Sequence, residues 1–186
     1  MEALLVSIGV VALAEVGDKT QLLTLLLASR YRRPWPIVAG IVTATVVNHA
    51  IAGAFGVWLT GALGPDIVRW VLAGSFIAMA GWVLVPDRLD NDTGASRTVR
   101  GVFLTSAILF FLAEIGDKTQ IATVALAARF SSLAAVVLGT TIGMVVANAP
   151  VAIFGEPLAR RLPTRSVRAI AACAFAALGI GVLAFG

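Results

Sequence analysis

The sequence predicts an all-α integral membrane protein with six transmembrane helices, arranged as two inverted three-helix repeats. Three observations support this: 59% of the 186 residues are hydrophobic, only 13% are charged, and the chain repeats itself once. A soluble domain usually carries about 25% charged residues. The net charge of +4 does not indicate nucleic-acid binding, because most arginines cluster in short segments between apolar runs.

Six apolar segments are long enough to cross about 30 Å of hydrocarbon as helices. The connections between them are short and rich in Pro, Gly and Arg. Because the N-terminal MEALLV lacks the positive start of a signal peptide, the first segment is expected to be a retained span. The predicted spans are residues 3–29, 37–61, 67–85, 101–128, 135–158 and 165–185.

A single offset relates the two halves of the chain. A shift of 99 residues aligns 3–87 with 102–186 without gaps, at 30 identities in 85 positions. An offset that holds over three pairs of spans indicates a duplicated three-helix unit. Because three is odd, the second unit starts on the opposite face of the membrane, which predicts the inverted repeat of secondary transporters. The predicted domains are 1–87 and 102–186, joined by a cytoplasmic linker at 88–101.

The arginines orient these repeats. If the N-terminus lies outside, ten arginines fall in the inner loops and two, Arg69 and Arg129, in the outer loops. Positive charge accumulates in the cytoplasmic loops of membrane proteins, so both termini are predicted to lie outside. The inner arginines are Arg30, Arg32, Arg33, Arg88, Arg97, Arg100, Arg160, Arg161, Arg165 and Arg168.

Two charged motifs interrupt apolar spans: EVGDKTQ at residues 15–21 and EIGDKTQ at residues 114–120. At 1.5 Å per residue, the apolar residues on either side place each motif near the middle of the bilayer. An unpaired charge there costs at least about 2.5–3.5 kcal/mol. The charged side chains are therefore expected to pair with one another and to face the protein interior or a wet cavity.

The spacing within each motif predicts which side chains act together. On a continuous helix, Glu15, Asp18 and Lys19 share one face, and Thr20 points more nearly the other way. Gly17 lowers helical stability and can let the backbone open, but the sequence does not decide whether the helix is continuous. The second motif repeats this pattern at Glu114, Gly116, Asp117, Lys118 and Thr119.

If the motifs meet by pseudo-symmetry, four carboxylates and two ammonium groups carry a formal charge of −2. A divalent cation or two protons would neutralise this charge. Carboxylate, amide and hydroxyl oxygens suit hard cations such as Mg²⁺, Ca²⁺ or Mn²⁺. The predicted metal ligands are Glu15, Asp18, Glu114 and Asp117. The expected supporting residues are Lys19, Thr20, Gln21, Lys118, Thr119, Gln120, Asn48, His49 and Asn148.

Alternative roles remain for several of these residues. His49, which aligns with Asn148, is either a nitrogen ligand that would favour Mn²⁺ over Ca²⁺ or a hydrogen-bond donor between helices. Asn48 and Asn148 are as well suited to join helices by hydrogen bonds as to support the site. If the motif charges were only structural ion pairs, a swap of Asp18 with Lys19 on one helix should be tolerated.

Other residues receive structural interpretations. Gly139 and Gly143 are expected to mark close helix packing, and Cys173 is expected to be a small packing residue without a disulfide partner. The aspartates of the linker lack the spacing of a calcium loop and predict a solvated loop. An enzyme is not expected, because no Ser–His, Cys–His or H-E-x-x-H arrangement occurs.

The motif E-x-G-D-K-T, present twice in three-helix units, resembles the Gdt-type family of cation/proton exchangers over essentially the whole chain. The resemblance implies transport of Mn²⁺, or of Ca²⁺ in some members, in exchange for protons, with essential motif carboxylates and no cofactor. It also implies a bacterial inner membrane protein, because the compact length is similar to that of bacterial manganese exporters. Glu15 and Glu114 would be the primary ligands and would alternately take protons, while one repeat rocks against the other.

Two other functions remain open. An exporter of a small cationic metabolite, such as a basic amino acid, would use the same acidic site for an ammonium group and would have a roomier pocket. A structural membrane protein would keep the ion pairs and transport nothing. The expected partners are a divalent cation, protons and the lipid bilayer, without nucleic acid, and a homo-oligomer remains open.

Overall fold

The computed structural model describes residues 1–85, 99–130, 132–155, 157 and 163–185, and all regular structure within these residues is helical. The all-α prediction is therefore confirmed for this part of the chain. Most of the predicted linker, including its aspartates, lies outside the described residues. The helices are α1 (Glu2–Glu15), α2 (Lys19–Tyr31), α3 (Pro34–Ala62), α4 (Pro65–Trp82), α5 (Val99–Glu114), α6 (Lys118–Arg129), α7 (Leu133–Phe154) and α8 (Thr164–Phe185).

Three helices in the described residues are long and apolar enough to cross a membrane: α3, α7 and Thr164–Ala184 of α8. This is fewer than the six spans predicted, and the motifs account for part of the difference. The predicted spans 3–29 and 101–128 are each divided into two helices of 12 to 16 residues. Neither helix of such a pair is long enough to cross alone. In addition, α4 has 18 residues but carries Asp66 and Arg69 near its start.

The two helices α3 and α7 lie at the centre of the packing. Helix α3 packs on α5, α6 and α7, and α7 also packs on α1 and α2. Close approach depends on small residues: a Cβ at Gly139 would lie 2.6 Å from the carbonyl oxygen of Leu4, and one at Gly143 would lie 2.7 Å from that of Ile8. The predicted close packing at both glycines is confirmed.

The helices α4 and α8 pack on each other, with α4 also against α6 and α8 also against α1. Only 22% of an apolar 18-residue stretch of α8 is buried. Cys173 lies on the exposed part of this helix, so its predicted packing role is wrong. Further inside, α1 packs on α6 and α2 packs on α5. These two contacts bring the first motif towards the second.

Candidate metal centre

Both motifs break their helices at the glycine. Helices α1 and α5 end at the motif glutamates, and α2 and α6 begin at the motif lysines. Gly17 has a φ of 76° and Gly116 a φ of 73°, a left-handed conformation that glycine adopts without steric cost. Each freed glycine N–H donates to the motif glutamine at 2.8 Å, Gly17 to Gln21 Oε1 and Gly116 to Gln120 Oε1. Each motif segment therefore forms two helices and not one continuous helix, which answers the question that the sequence left open.

The lysine of each motif pairs with the aspartate of the other. Lys19 Nζ lies 2.8 Å from Asp117 Oδ1, and Lys118 forms an ion pair with Asp18. Asp18, Asp117 and Lys118 are almost fully buried, whereas the Lys19 side chain is 24% exposed. Buried charges are stable only when they are paired. The two motifs are thus held against each other by two reciprocal ion pairs.

The carboxylate of Glu15 is fully buried and is held at Oε2 by two donors. The hydroxyl of Thr20 donates to this oxygen, and Asn148 Nδ2 donates to it from α7 at 3.3 Å. The Thr24 hydroxyl donates to Asn148 Oδ1 at 2.8 Å. Because Thr24 binds the amide oxygen, the amide nitrogen of Asn148 is turned towards Glu15.

The carboxylate of Glu114 is equally buried but has less support. Thr119 Oγ1 donates to Glu114 Oε2 at 2.8 Å, as Thr20 does to Glu15. His49 takes the place of Asn148, and its Nε2 lies 3.9 Å from Glu114 Oε2, beyond hydrogen-bond distance. Neither ring nitrogen of His49 has a hydrogen-bond partner among the described residues, although the ring is fully buried. A buried polar group without a partner costs free energy, so His49 would gain from a ligand within reach.

Three of the four predicted ligands form a carboxylate cluster. Glu15, Glu114 and Asp117 each offer one oxygen, and these atoms all lie within 4.8 Å of one another. The Oε1 atoms of both glutamates are buried and accept no hydrogen bond from the described residues. A buried carboxylate cluster whose glutamates each keep an oxygen without a hydrogen-bond donor suits a hard divalent cation. Asp18, the fourth predicted ligand, is not in this cluster and is instead the partner of Lys118.

Two geometric expectations are wrong because the helices are broken. Glu15, Asp18 and Lys19 do not share one helix face, since Glu15 ends α1 and Lys19 begins α2. Thr20 does not point away from Glu15 but donates to it. The swap of Asp18 with Lys19 would bring like charges together in both ion pairs, so it cannot identify a structural role.

Two of the supporting amides bind backbone carbonyls of neighbouring helices. Asn48 Nδ2 donates to the carbonyl of Phe111 at 3.0 Å. This carbonyl belongs to the last turn of α5, where no intrahelical partner is available. Gln21 Nε2 donates to the carbonyl of Ala147 in α7 at 3.1 Å. Asn48 therefore has the helix-joining role that the sequence had left as one alternative.

Sequence reasoning missed a contact at the first break. The guanidinium of Arg168, from α8, donates to the carbonyl of Gly17. Thr164 covers the same glycine, because a Cβ on Gly17 would lie 2.8 Å from Thr164 Cγ2. A Cβ on Gly116 would meet nothing within 4 Å. The repeat aligns Arg168 with Arg69, which was the available signal, but Arg69 donates to a carbonyl of α8 instead.

Comparisons with known proteins identify the family of the chain. Residues 3–91 and 102–186 match the family described as divalent cation/proton antiporter GDT1. A Vibrio cholerae serotype O1 protein named "Putative manganese exporter" is 50% identical over 186 residues, covering 100% of this chain and 92% of the relative. GDT1-like protein 3 of Oryza sativa subsp. indica is 26% identical over 209 residues, covering 99% and 74%. A GDT1-like protein of Synechocystis is 27% identical over 186 residues, covering 89% and 88%. No solved structure matches the chain.

The family match covers nearly the whole chain and includes both motifs. It confirms the resemblance that the motifs indicated. In a cation/proton antiporter the metal ion is the transported substrate and not a resident cofactor. The chain belongs to the GDT1 family of divalent cation/proton antiporters.

Proposed function

We propose that this chain exports Mn²⁺ from the bacterial cytoplasm across the inner membrane in exchange for protons. The observation that carries this proposal is the buried cluster in which Glu15, Glu114 and Asp117 bring three oxygens within 4.8 Å of one another. Membership of the family supports cation/proton antiport. The printed name of the Vibrio cholerae relative supports manganese as the cation.

The charges give a reason for the exchange. Glu15, Asp18, Glu114 and Asp117 against the two motif lysines leave a formal charge of −2 when all are ionised. One divalent cation neutralises this charge, and so do two protons. Both together would leave an excess positive charge in a region of low dielectric, which is costly. Cation and protons therefore exclude each other, as coupled exchange requires.

The ion pairs support a division of roles between the motif aspartates and the motif glutamates. Asp18 is paired with Lys118, and Asp117 with Lys19. These pairs leave the two glutamates as the carboxylates without a cationic partner at hydrogen-bond distance among the described residues. Glu15 and Glu114 are thus the groups that alternate between protons and the cation. The two threonines and Asn148 orient their carboxylates.

The proposal includes six spans in two inverted halves, with α1 and α2 together, and α5 and α6 together, each crossing as a broken helix. The packing supports this relation, because partners correspond under the repeat offset. Helix α1 packs on α7 as α5 packs on α3, and α2 packs on α5 as α6 packs on α1. The excess of arginines in the loops predicted as inner supports an orientation with both termini outside.

His49 supports Mn²⁺ over Ca²⁺. A bound ion held by the Glu114 carboxylate would lie near His49 Nε2, which is 3.9 Å from Glu114 Oε2. Ca²⁺ takes oxygen ligands almost exclusively, whereas transition metals accept imidazole nitrogen. A nitrogen donor at this place therefore favours Mn²⁺.

Purified protein in liposomes that contain a pH-sensitive dye tests the proposal. External Mn²⁺ is expected to drive protons out of the lumen, with smaller responses to Ca²⁺ and Mg²⁺. Glu15→Gln and Glu114→Gln are each expected to abolish the response while inserting normally, because each removes a ligand oxygen and a proton acceptor. Glu2→Gln, at an exposed position outside the site, is the matched control and should transport. Full transport by both site variants would sink the assignment.

The same liposomes separate the two other functions. An exporter of a basic amino acid would respond to lysine and not to metal ions. A structural protein would respond to no solute, and it would tolerate the reversed ion pair Asp18→Lys with Lys118→Asp, which keeps opposite charges together. The carboxylate oxygens lie within 4.8 Å of one another, and this closeness favours a single ion over an amino acid.

A further inference from the structure

The two repeats pack differently beside the central helices. Gly56 of α3 lies against α6 so closely that a Cβ on it would sit 2.3 Å from the carbonyl oxygen of Val124. The offset of 99 maps this pair onto Gly155 and Leu25. Those two residues lie on the wall of one cavity of about 490 Å³, between α2 and the end of α7. Among the described residues, the contact between α3 and α6 (the α3–α6 seam) is closed at this point, and the matching part of the contact between α2 and α7 (the α2–α7 seam) opens into the cavity.

Two residues of α7 explain the opening. Pro150 lies inside α7 and has no backbone N–H to donate. Gly155 has a φ of 66° and ends the helix. Their counterparts in α3, Ile51 and Gly56, are both helical, and α3 runs for 29 residues where α7 has 22. Helix α7 therefore ends at Phe154, beside the cavity, whereas α3 continues to Ala62.

The cavity reaches to within one helical turn of Asn148, the residue of α7 that contacts Glu15. Asn148 donates to Glu15 Oε2 and accepts from Thr24, the contact that joins α7 to α2. Leu25, next to Thr24, and Ala152, one turn after Asn148, both line the cavity. The Thr24–Asn148 hydrogen bond thus stands between the cavity and Glu15.

We infer that this cavity is the vestibule through which the cation reaches the site, and that the contact of Gly56 with Val124 is the seal on the opposite side of the membrane. The inference rests on the proposed function and names its route. Helix α2 ends beside Arg32, in a loop predicted to be cytoplasmic, so the vestibule opens towards the side from which an exporter takes its cargo. Arg32 lines the solvent end of the vestibule and is exposed to water, where its charge is screened.

Release on the other side requires the seams to exchange states. The α3–α6 seam would open and the α2–α7 seam would close as one repeat rocks against the other. Gly56 is suited to this because the helices touch through backbone atoms at that point, without a side chain that must first withdraw. Gly56 and Val124 are therefore gating residues, distinct from the residues that bind the cation.

Cysteine labelling at one repeat-matched pair tests this inference. Ala28 lines the vestibule, and Ala127, 99 residues later, is buried against Gly53 in the closed seam. Ala28→Cys and Ala127→Cys would each be made with Cys173→Ser, since Cys173 is the one cysteine of the sequence. A membrane-impermeant methanethiosulfonate reagent should modify A28C at least about tenfold faster than A127C, because thiol reaction follows exposure.

Vesicles of both orientations identify the side. A28C is expected to react only when the reagent is on the cytoplasmic face. Gly56→Leu, whose side chain cannot fit against the Val124 carbonyl, is expected to raise the A127C rate and lower the A28C rate. Equal rates for the two cysteines without the Gly56 change would overturn the inference, and so would A28C labelling from the outer face alone. The comparison of A28C with A127C labelling rates remains decisive even if Gly56→Leu fails to fold.

The labelling requires neither metal nor transport, so its failure is distinguishable from failure of the proposed function. Metal-driven proton movement with equal labelling of A28C and A127C would leave the function standing and remove the vestibule. Unequal labelling without any metal response would remove Mn²⁺/H⁺ exchange, and with it the assignment of the vestibule to a cation.

Discussion

The two motifs differ in one residue of seven, Val16 against Ile115, yet the structure supports their glutamates unequally. Both motifs break at glycine, and both give their lysine to the aspartate of the other. Glu15 has two hydrogen-bond donors at Oε2, whereas Glu114 has Thr119 and a histidine at 3.9 Å. The motif sets the local fold, and residues of other helices set the asymmetry.

The backbone at the two breaks shows the same inequality. Gly17 is covered by Thr164 and its carbonyl is bound by Arg168, while Gly116 is exposed. The break of the first motif is thus covered, whereas the second motif has an uncovered turn and lies beside a histidine ring without a hydrogen-bond partner among the described residues. If the cluster holds the cation as proposed, the second motif is expected to be the half that adapts when the cation binds.

Substitution of the motif lysines is expected to have the largest effect on stability, and it tests whether the two halves of the site are supported unequally. Lys118→Met leaves the buried carboxylate of Asp18 without its cation, which is expected to cost about 3–5 kcal/mol of stability. Lys19→Met should cost less, because the Lys19 side chain is 24% exposed and Asp117 keeps the weak donation from Thr119. Detergent-titrated unfolding of both variants measures the difference. The double variant Lys118→Met with Asp18→Asn should recover part of the loss, and equal losses for the two lysine variants would contradict the comparison.

Substitution of the glycines at the two helix breaks is expected to have a smaller effect on stability. Alanine at either glycine costs about 1–2 kcal/mol for the left-handed conformation. Gly17→Ala should cost about 1–3 kcal/mol more through overpacking, since its Cβ would lie 2.8 Å from Thr164 Cγ2, while Gly116→Ala meets no atom within 4 Å. The same unfolding titration compares them, and Thr164→Ser should relieve part of the Gly17→Ala defect. A larger loss for Gly116→Ala would show that the first break is not the more constrained one.

The sequence was sufficient to predict the helical class, the membrane setting and the family, because composition and the repeated motif carry that information directly. It also brought Glu15, Glu114 and Asp117 together through the repeat argument. It could not place Thr20 or separate Asp18 from the ligands, because both depend on whether the helix continues through Gly17. Glycine allows a helix break at low steric cost but does not require one. The contact of Arg168 with Gly17 depends on how α8 packs, which no local pattern encodes.

The smallest expected effect concerns His49, the residue in which the two halves differ most directly. His49→Asn gives Glu114 the neighbour that Glu15 has in Asn148, and it removes the nitrogen donor from the site. The preference for Mn²⁺ over Ca²⁺ in the liposome assay is expected to fall about tenfold, equivalent to about 1.4 kcal/mol, because oxygen ligands alone discriminate less between these ions. The double variant His49→Asn with Asn148→His moves the ring to the other half and should restore part of the preference. If His49→Asn leaves the ratio of Mn²⁺ to Ca²⁺ exchange unchanged, the ring is a packing residue, and the asymmetry of the two motifs lies in their gating alone.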